Sequence, residues 1–270
     1  MKARAGAYVL LGIYAVVSLY PFVWMVSGAF KSKEDVFADT SLVPDSPTLD
    51  TFTKTWTELD FPLYFLNSVV VTGATVLGVL VVYSLAAYGF GVLDFPGRKA
   101  IYGMFISLLF VPGITVLLPV VLLQQELGIL GTHLGIVLPF VNGTAPLSIL
   151  LLTNAFRAVP ASLRESARCD GASEPRTFFS VYLPVCKPAL ITIALLTAVP
   201  TWNEYVLSRV SLNDESTYTL PLGLQSLTAM TSPEYNVIMA ASLIIVLPVV
   251  VLFLLLQRYF VNGLAGAVKG

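Results

Sequence analysis

Cut at its charged residues, the chain falls into six apolar intervals: Ala5–Phe30, Phe61–Leu93, Ala100–Gln125, Leu127–Phe156, Pro188–Asn203 and Tyr235–Gln257. A helix that crosses a bilayer needs about 20 largely apolar residues. The fifth interval reaches that length only if Glu204 is admitted. The pattern predicts an all-α, polytopic membrane protein of six transmembrane helices in one domain over residues 1–270. The spans are expected near 8–30, 64–93, 101–123, 135–156, 189–207 and 237–257. The first run is too long for the apolar part of a cleaved secretory signal and is read as a retained helix.

Composition supports this class. Mean hydropathy is +0.83, 56% of residues are hydrophobic and 11% are charged, about half the charged share of a soluble domain. The net charge of −1 hides an asymmetry. With the N-terminus inside, eleven of the fifteen basic residues fall on the inner side, and Lys31, Lys33, Lys54 and Arg209 fall outside. Basic residues gather on the cytoplasmic side of membrane proteins, so both termini are expected on the cytoplasmic side. The acids Glu34, Asp35, Asp39, Asp45, Asp50, Glu58 and Asp60 all lie in the first outer loop, which is expected to be extended with short helical turns. Cys169 and Cys186 match no metal spacing and read as free thiols. The lone His133 reads as a surface residue.

The longest charge-bearing segment of the second half is Glu165–Pro184, with the sequence ESARCDGASEPRTFFSVYLP. It reads as two short helices around a glycine turn. Ser162 and Glu165 are spaced as a capping box, and Gly171 is placed to take the left-handed conformation that ends a helix. Ser173 and Pro175 then suit the cap and first turn of a second helix. Inside the apolar intervals stand Pro112, Pro119, Pro139, Pro146, Pro200 and Pro248. Each removes a backbone hydrogen bond that must be re-satisfied locally. They mark either simple kinks or helices that line a path and rearrange.

The order Glu165, Ser166, Ala167, Gly171, Val181, Leu183, Pro184 resembles the EAA loop of ABC importer permeases, with Ser166 where the family usually has Ala. The likeness extends over nearly the whole chain. Lys31-Ser32 with Glu34 resembles the family's first outer loop, and Phe65-Leu66-Asn67-Ser68 its second span. Trp202-Asn203-Glu204-Tyr205 is similar to the WNEF segment of sugar permeases. Gln257–Leu264 and Gly266–Gly270 are similar to the ending of maltose-type second permease subunits. Amino-acid and peptide importer permeases usually lack the last two features. The resemblance implies a type I ABC importer permease for carbohydrate, with a coupling loop over 160–184 and a tail over 258–270. It assigns ATPase coupling to Glu165, Ser166, Ala167, Arg168, Asp170 and Gly171. It assigns the translocation path or gate to Asn67, Ser68, Trp202, Asn203 and Glu204, and tail contacts with the ATPase to Gly263, Leu264 and Lys269. The implied partners are a second homologous permease, an ATP-binding cassette dimer, an extracytoplasmic sugar-binding protein and membrane lipid, with no nucleic acid. The chain is expected to be a transport subunit without enzyme activity or cofactor of its own, the partner ATPase using ATP and Mg.

The residues agree with this division of labour, since no GxxxxGK[ST] run is present to cradle ATP phosphates. An ion-coupled secondary transporter and an ABC permease for a non-sugar solute are the alternatives. The first needs ionisable residues within the membrane, and Glu204 is the single one. A helix starting at Ala189 places Glu204 about 22 Å along its axis, in the outer third of a core about 30 Å thick. There it either lines the path or is held structurally by a neighbouring helix.

Overall fold

The computed structural model describes the backbone of residues 2–267 and the side chains of residues 6–255. Among the described residues every regular element is helical. Helix α1 (Lys2–Ala29) is followed by α2 (Asp35–Ala38), α3 (Asp50–Glu58) and the long α4 (Phe61–Val92). Next come α5 (Arg98–Ser107), α6 (Leu117–Glu126), α7 (Leu134–Gly143) and α8 (Ala145–Arg157). The polar stretch holds α9 (Ala161–Cys169), α10 (Glu174–Thr177), a π-helical segment over Phe178–Tyr182 and α11 (Leu183–Val185). The chain continues through α12 (Lys187–Trp202), α13 (Val206–Ser211), α14 (Leu220–Thr228) and α15 (Tyr235–Ala267).

Three helical stretches, Gly6–Ala29, Phe61–Val92 and Tyr235–Leu255, are long and apolar enough to cross a membrane unbroken. The other apolar intervals are bent pairs. Arg98–Phe110 meets Gly113–Glu126 at 97°, Leu134–Gly143 meets Ala145–Arg157 at 49°, and Glu174–Val185 meets Lys187–Trp202 at 77°. If each pair counts as one span, the number rises to six.

Proline stands at or beside each bent joint. Steric conflict with a following proline drives a residue into extended backbone, and Val111, before Pro112, stands at φ −88°, ψ 115°. The stretch 101–123, expected as one helix, is therefore two. Pro146 lies in the first turn of α8, where its missing N–H leaves the carbonyl of Asn142 without an intrahelical donor. The expected span 189–207 also divides: α12 stops at Trp202, and α13 starts at Val206. Pro21, Pro139, Pro200 and Pro248 are carried inside their helices.

The chain forms two compact units: one runs from the N-terminus to Leu66 and includes Tyr218–Val250, and the other comprises Asn67–Thr217 and the chain from Val251 onward. In the first unit, α3 is tied to the end of α1 by a hydrogen bond from the Thr51 hydroxyl to the Ala29 carbonyl. The Lys31 side chain is buried and pairs with Asp39 at 3.0 Å. Its ammonium also donates to the carbonyls of Asp39 (2.6 Å) and Ser41 (2.8 Å), which folds the polar connection back onto α1. Glu234 receives Lys54 at 2.7 Å and Lys33 at 3.5 Å. Gly223 of α14 lies against the ring of Tyr64, where a Cβ would come within 2.3 Å of Cδ2.

The second unit is built on an aromatic cluster. Tyr88 of α4 meets Phe178 at 5.2 Å, Tyr182 at 5.0 Å and Phe156 of α8 at 6.2 Å, all edge to face. Such pairs contribute about 0.5–1.5 kcal/mol beyond burial. The wider turn of the π segment turns both Phe178 and Tyr182 inward onto Tyr88. Pro184 cannot donate to the carbonyl of Ser180, which is one reason the ladder widens there.

Candidate functional site

In the polar loop, α9 begins one residue after Pro160, and no side chain caps it. The expected capping box between Ser162 and Glu165 is therefore not formed. Because the helix starts at Ala161, Ser162 already lies within its first turn, and both residues are exposed. The end of α9 is as expected. Gly171 stands at φ +76°. The amide of Ala172 donates to the carbonyl of Ala167 (2.9 Å), and that of Gly171 to the carbonyl of Arg168 (3.0 Å). These are the two bonds of a Schellman motif. Ser173 holds the cap position of α10 in extended conformation, but its hydroxyl makes no capping bond.

Of the residues assigned to coupling, Glu165, Ser166, Arg168, Asp170 and Gly171 are exposed, and Ala167 is half-buried. The inward side of the loop is held by a group that motif reading passed over. The Tyr88 hydroxyl donates to Glu174 Oε2 at 2.6 Å, and Arg164 Nη2 donates to Glu174 Oε1 at 2.6 Å. Hydrogen bonds from Tyr88 and then Arg164 hold the Glu174 carboxyl below the usual carboxylate range. One side chain in the first turn of α10 thus joins α4 to α9. The signal was the charge of Glu174 and Arg164 within the loop, but Tyr88 lies 86 positions from Glu174, and no local pattern links them.

A second feature of the same unit is a cavity of about 450 Å³. It is lined by Gly113, Ile114, Gly143, Thr144, Glu204 and Val206, among others. These residues lie at three interruptions of the helices: after Pro112, between α7 and α8, and between α12 and α13. Irregular backbone in a membrane protein is tolerated where it lines a cavity or is covered by protein. Most of the wall is apolar, and Asn142, Thr144 and Glu204 supply polar groups.

Glu204 is the residue of the expected path that lines this cavity. Its Oε1 also accepts the backbone N–H of Leu207, so the carboxylate caps α13 as it faces the cavity. The partner is an amide left open by the new helix start at Val206. The other residues of that group lie elsewhere. Asn67 is buried, and its amide donates to the Ser216 carbonyl at 2.9 Å. Ser68 and Trp202 are buried. Asn203 is exposed and donates to the Val199 carbonyl at 2.8 Å. Near Asn67, His133 Nε2 lies 3.1 Å from the Thr217 carbonyl. Cys169 is exposed and Cys186 buried, both free. No group of three or more metal-ligating side chains occurs among the described residues. The side chains of the tail residues Gly263 and Leu264 lie outside the described residues, as does the whole of Lys269.

The comparisons bear on both features. Residues 84–266, which contain the polar loop and the whole cavity wall, match the family model of the binding-protein-dependent transport system inner membrane component. The chain belongs to this family. It is a membrane permease subunit of a binding-protein-dependent importer, and the ion-coupled alternative falls with that membership. The permease is 33% identical to the probable ABC transporter permease protein YurM of Bacillus subtilis, over 99% of this chain and 89% of the relative. It is 32% identical to the galactooligosaccharides transport system permease protein GanQ of the same species, over 98% and 95%. Among solved structures it resembles a chain of a bacterial ABC transporter involved in the import of the acidic polysaccharide alginate. The TM-score is 0.85 at 26% identity, covering 96% of both chains. The fold of the permease is that of ABC importer permeases of type I.

Proposed function

We propose that this permease is one of two homologous, distinct membrane subunits of an ATP-driven carbohydrate importer and forms half of its translocation path. In this reading its six spans pair with those of the second permease. Both termini and loop 160–184 face the cytoplasm, on the side that gathers eleven of the fifteen basic residues. An extracytoplasmic sugar-binding protein delivers substrate to the outer face, and an ATP-binding cassette dimer using ATP and Mg closes on the inner face. Lipid and the second permease cover α1, whose most apolar stretch has no residue buried within the chain. With no phosphate-cradling motif in this chain, hydrolysis belongs to the separate subunit.

The observation that carries the reading is the two-sided loop. Glu165, Ser166, Arg168, Asp170 and Gly171 stand open to a partner, and the rear of the loop is anchored to α4 and α9 through Glu174. Carbohydrate as substrate rests on the galactooligosaccharides and alginate that similar permeases serve. The tail, through Gly263, Leu264 and Lys269, extends the contact with the ATPase, and removing Leu264–Gly270 should then reduce transport. The direct test is co-purification followed by reconstitution. The permease should bring down an ATPase subunit and a second permease, and uptake of a labelled oligosaccharide should require both together with the binding protein. Sugar uptake by this chain alone in vesicles would overturn the reading.

A further inference from the structure

The reading of loop 160–184 as the coupling element leaves open how its movement reaches the membrane helices. Three side chains supply a route. Tyr88 is buried in the last turns of α4, with its ring packed edge to face on Phe178, Tyr182 and Phe156. The ring is held by packing alone, and its hydroxyl is aimed at Glu174 Oε2 (2.6 Å). Glu174 uses its other oxygen for Arg164 (2.6 Å). Arg164 lies one residue before Glu165, on the helix whose exposed face is offered to the partner.

We propose that Glu174 is a positioning residue for coupling: by accepting from Tyr88 and Arg164 at once, it locks α9 and α10 to α4, so that displacement of the loop drives α4 as one body. The inference rests on the assignment of this loop to ATPase coupling. Three features favour it over a purely local role. The carboxylate links three elements, where a cap would serve one. The bonds to an ionised acceptor are short and directional, so they transmit displacement with little slack. The Schellman turn at Gly171 holds the exposed arm of the loop rigid up to the point where Arg164 and Glu174 meet it.

The test uses the whole transporter, both permeases with the ATPase and the sugar-binding protein, in proteoliposomes. Tyr88→Phe is the principal variant because it keeps the ring and its packing and removes only the donated hydrogen bond. Uptake and ATP hydrolysis are measured in the same vesicles. Sugar moved per ATP should fall about tenfold, the scale of losing one charge-assisted hydrogen bond from the link, while the ATPase still co-purifies. Glu174→Ala should give a larger loss, and Tyr88→Phe combined with Glu174→Ala no more than Glu174→Ala alone, because the second change has nothing left to remove. Glu174→Gln, which keeps an acceptor, should recover part of the ratio. An unchanged ratio in Tyr88→Phe, or additive losses in the double variant, would overturn the link and leave the coupling assignment standing. Loss of ATPase from the purified Tyr88→Phe complex would overturn it in favour of a docking or folding role. A wild-type chain that brings down no ATPase would overturn the coupling assignment itself, and this inference with it.

Discussion

The amide of Ala172 reaches back past Gly171 to the carbonyl of Ala167 at 2.9 Å. That bond exists because Gly171 holds φ at +76°, a conformation that costs a residue with a Cβ about 1–2 kcal/mol and a β-branched one more. Gly171→Val should therefore open the turn between α9 and α10. The expected outcome is a protein that inserts into the membrane at normal levels but loses ATPase assembly or hydrolyses ATP without transport. Quantitative pull-down together with membrane fractionation checks this, and normal transport would refute the role of the turn.

Gly223 tests packing in the other unit. A Cβ there would stand 2.3 Å and 2.7 Å from two atoms of the buried Tyr64 ring, which itself meets Phe61 and Tyr218. Overpacking of this kind typically costs about 1–3 kcal/mol. Gly223→Ala should lower the thermal midpoint of the detergent-solubilised protein, and Gly223→Val should lower it further. Equal midpoints for all three proteins would show that α14 moves aside without cost.

Glu204 caps α13 and lines the cavity, and substitution separates the cap from the proposed place on the path. Glu204→Gln keeps an oxygen for the Leu207 amide, whereas Glu204→Ala removes it and costs about 0.5–2 kcal/mol, as for other lost helix caps. Gln should retain most of the transport and Ala should lose it, with ATPase binding intact in both. Loss in both would mean that the negative charge itself is needed. Unimpaired uptake in the Ala variant would remove the residue from the path.

The ion pairs at Glu234 predict an acid dependence. Its carboxyl is held below the usual range by the hydrogen bond from Lys54 first, and then by the charges of Lys54 and Lys33. A depressed folded pKa contributes stability above the unfolded value of about 4.3, and that contribution is lost as pH falls through the folded value. Because the pair is partly exposed, it is worth at most about 1 kcal/mol. Thermal midpoints measured between neutral pH and pH 3 should fall less steeply in Lys54→Met than in the unmodified protein.

Whatever depended on sums over many residues, or on one backbone constraint, was legible in the chain. Six apolar intervals, the positive φ at Gly171 and the start of α10 behind Ser173 are of this kind. Helix interruption was foreshadowed by the prolines, yet the degree of bending was not. Pro139 and Pro200 sit inside helices while Pro112 marks a 97° turn. The capping box at Ser162 failed because a spacing rule cannot say at which residue a helix begins. The link among Tyr88, Glu174 and Arg164 was not legible, because three single residues acquire a joint meaning only when folding brings them together. Asn67 is a further case: its place in a family motif gave no hint that its amide holds the Ser216 carbonyl.

The cavity wall is made of joints. Pro112–Gly113, Thr144 and the stretch 203–205 lie between short rods that already lack a continuous backbone ladder across each gap. Swinging one rod against its neighbour tears no row of helical hydrogen bonds and exchanges only side-chain contacts. Val116, Leu117, Val120 and Phe140 supply apolar side chains to the wall between those joints. On the proposal that this chamber lies on the path, bulkier apolar side chains there should slow passage more than they change which solute fits.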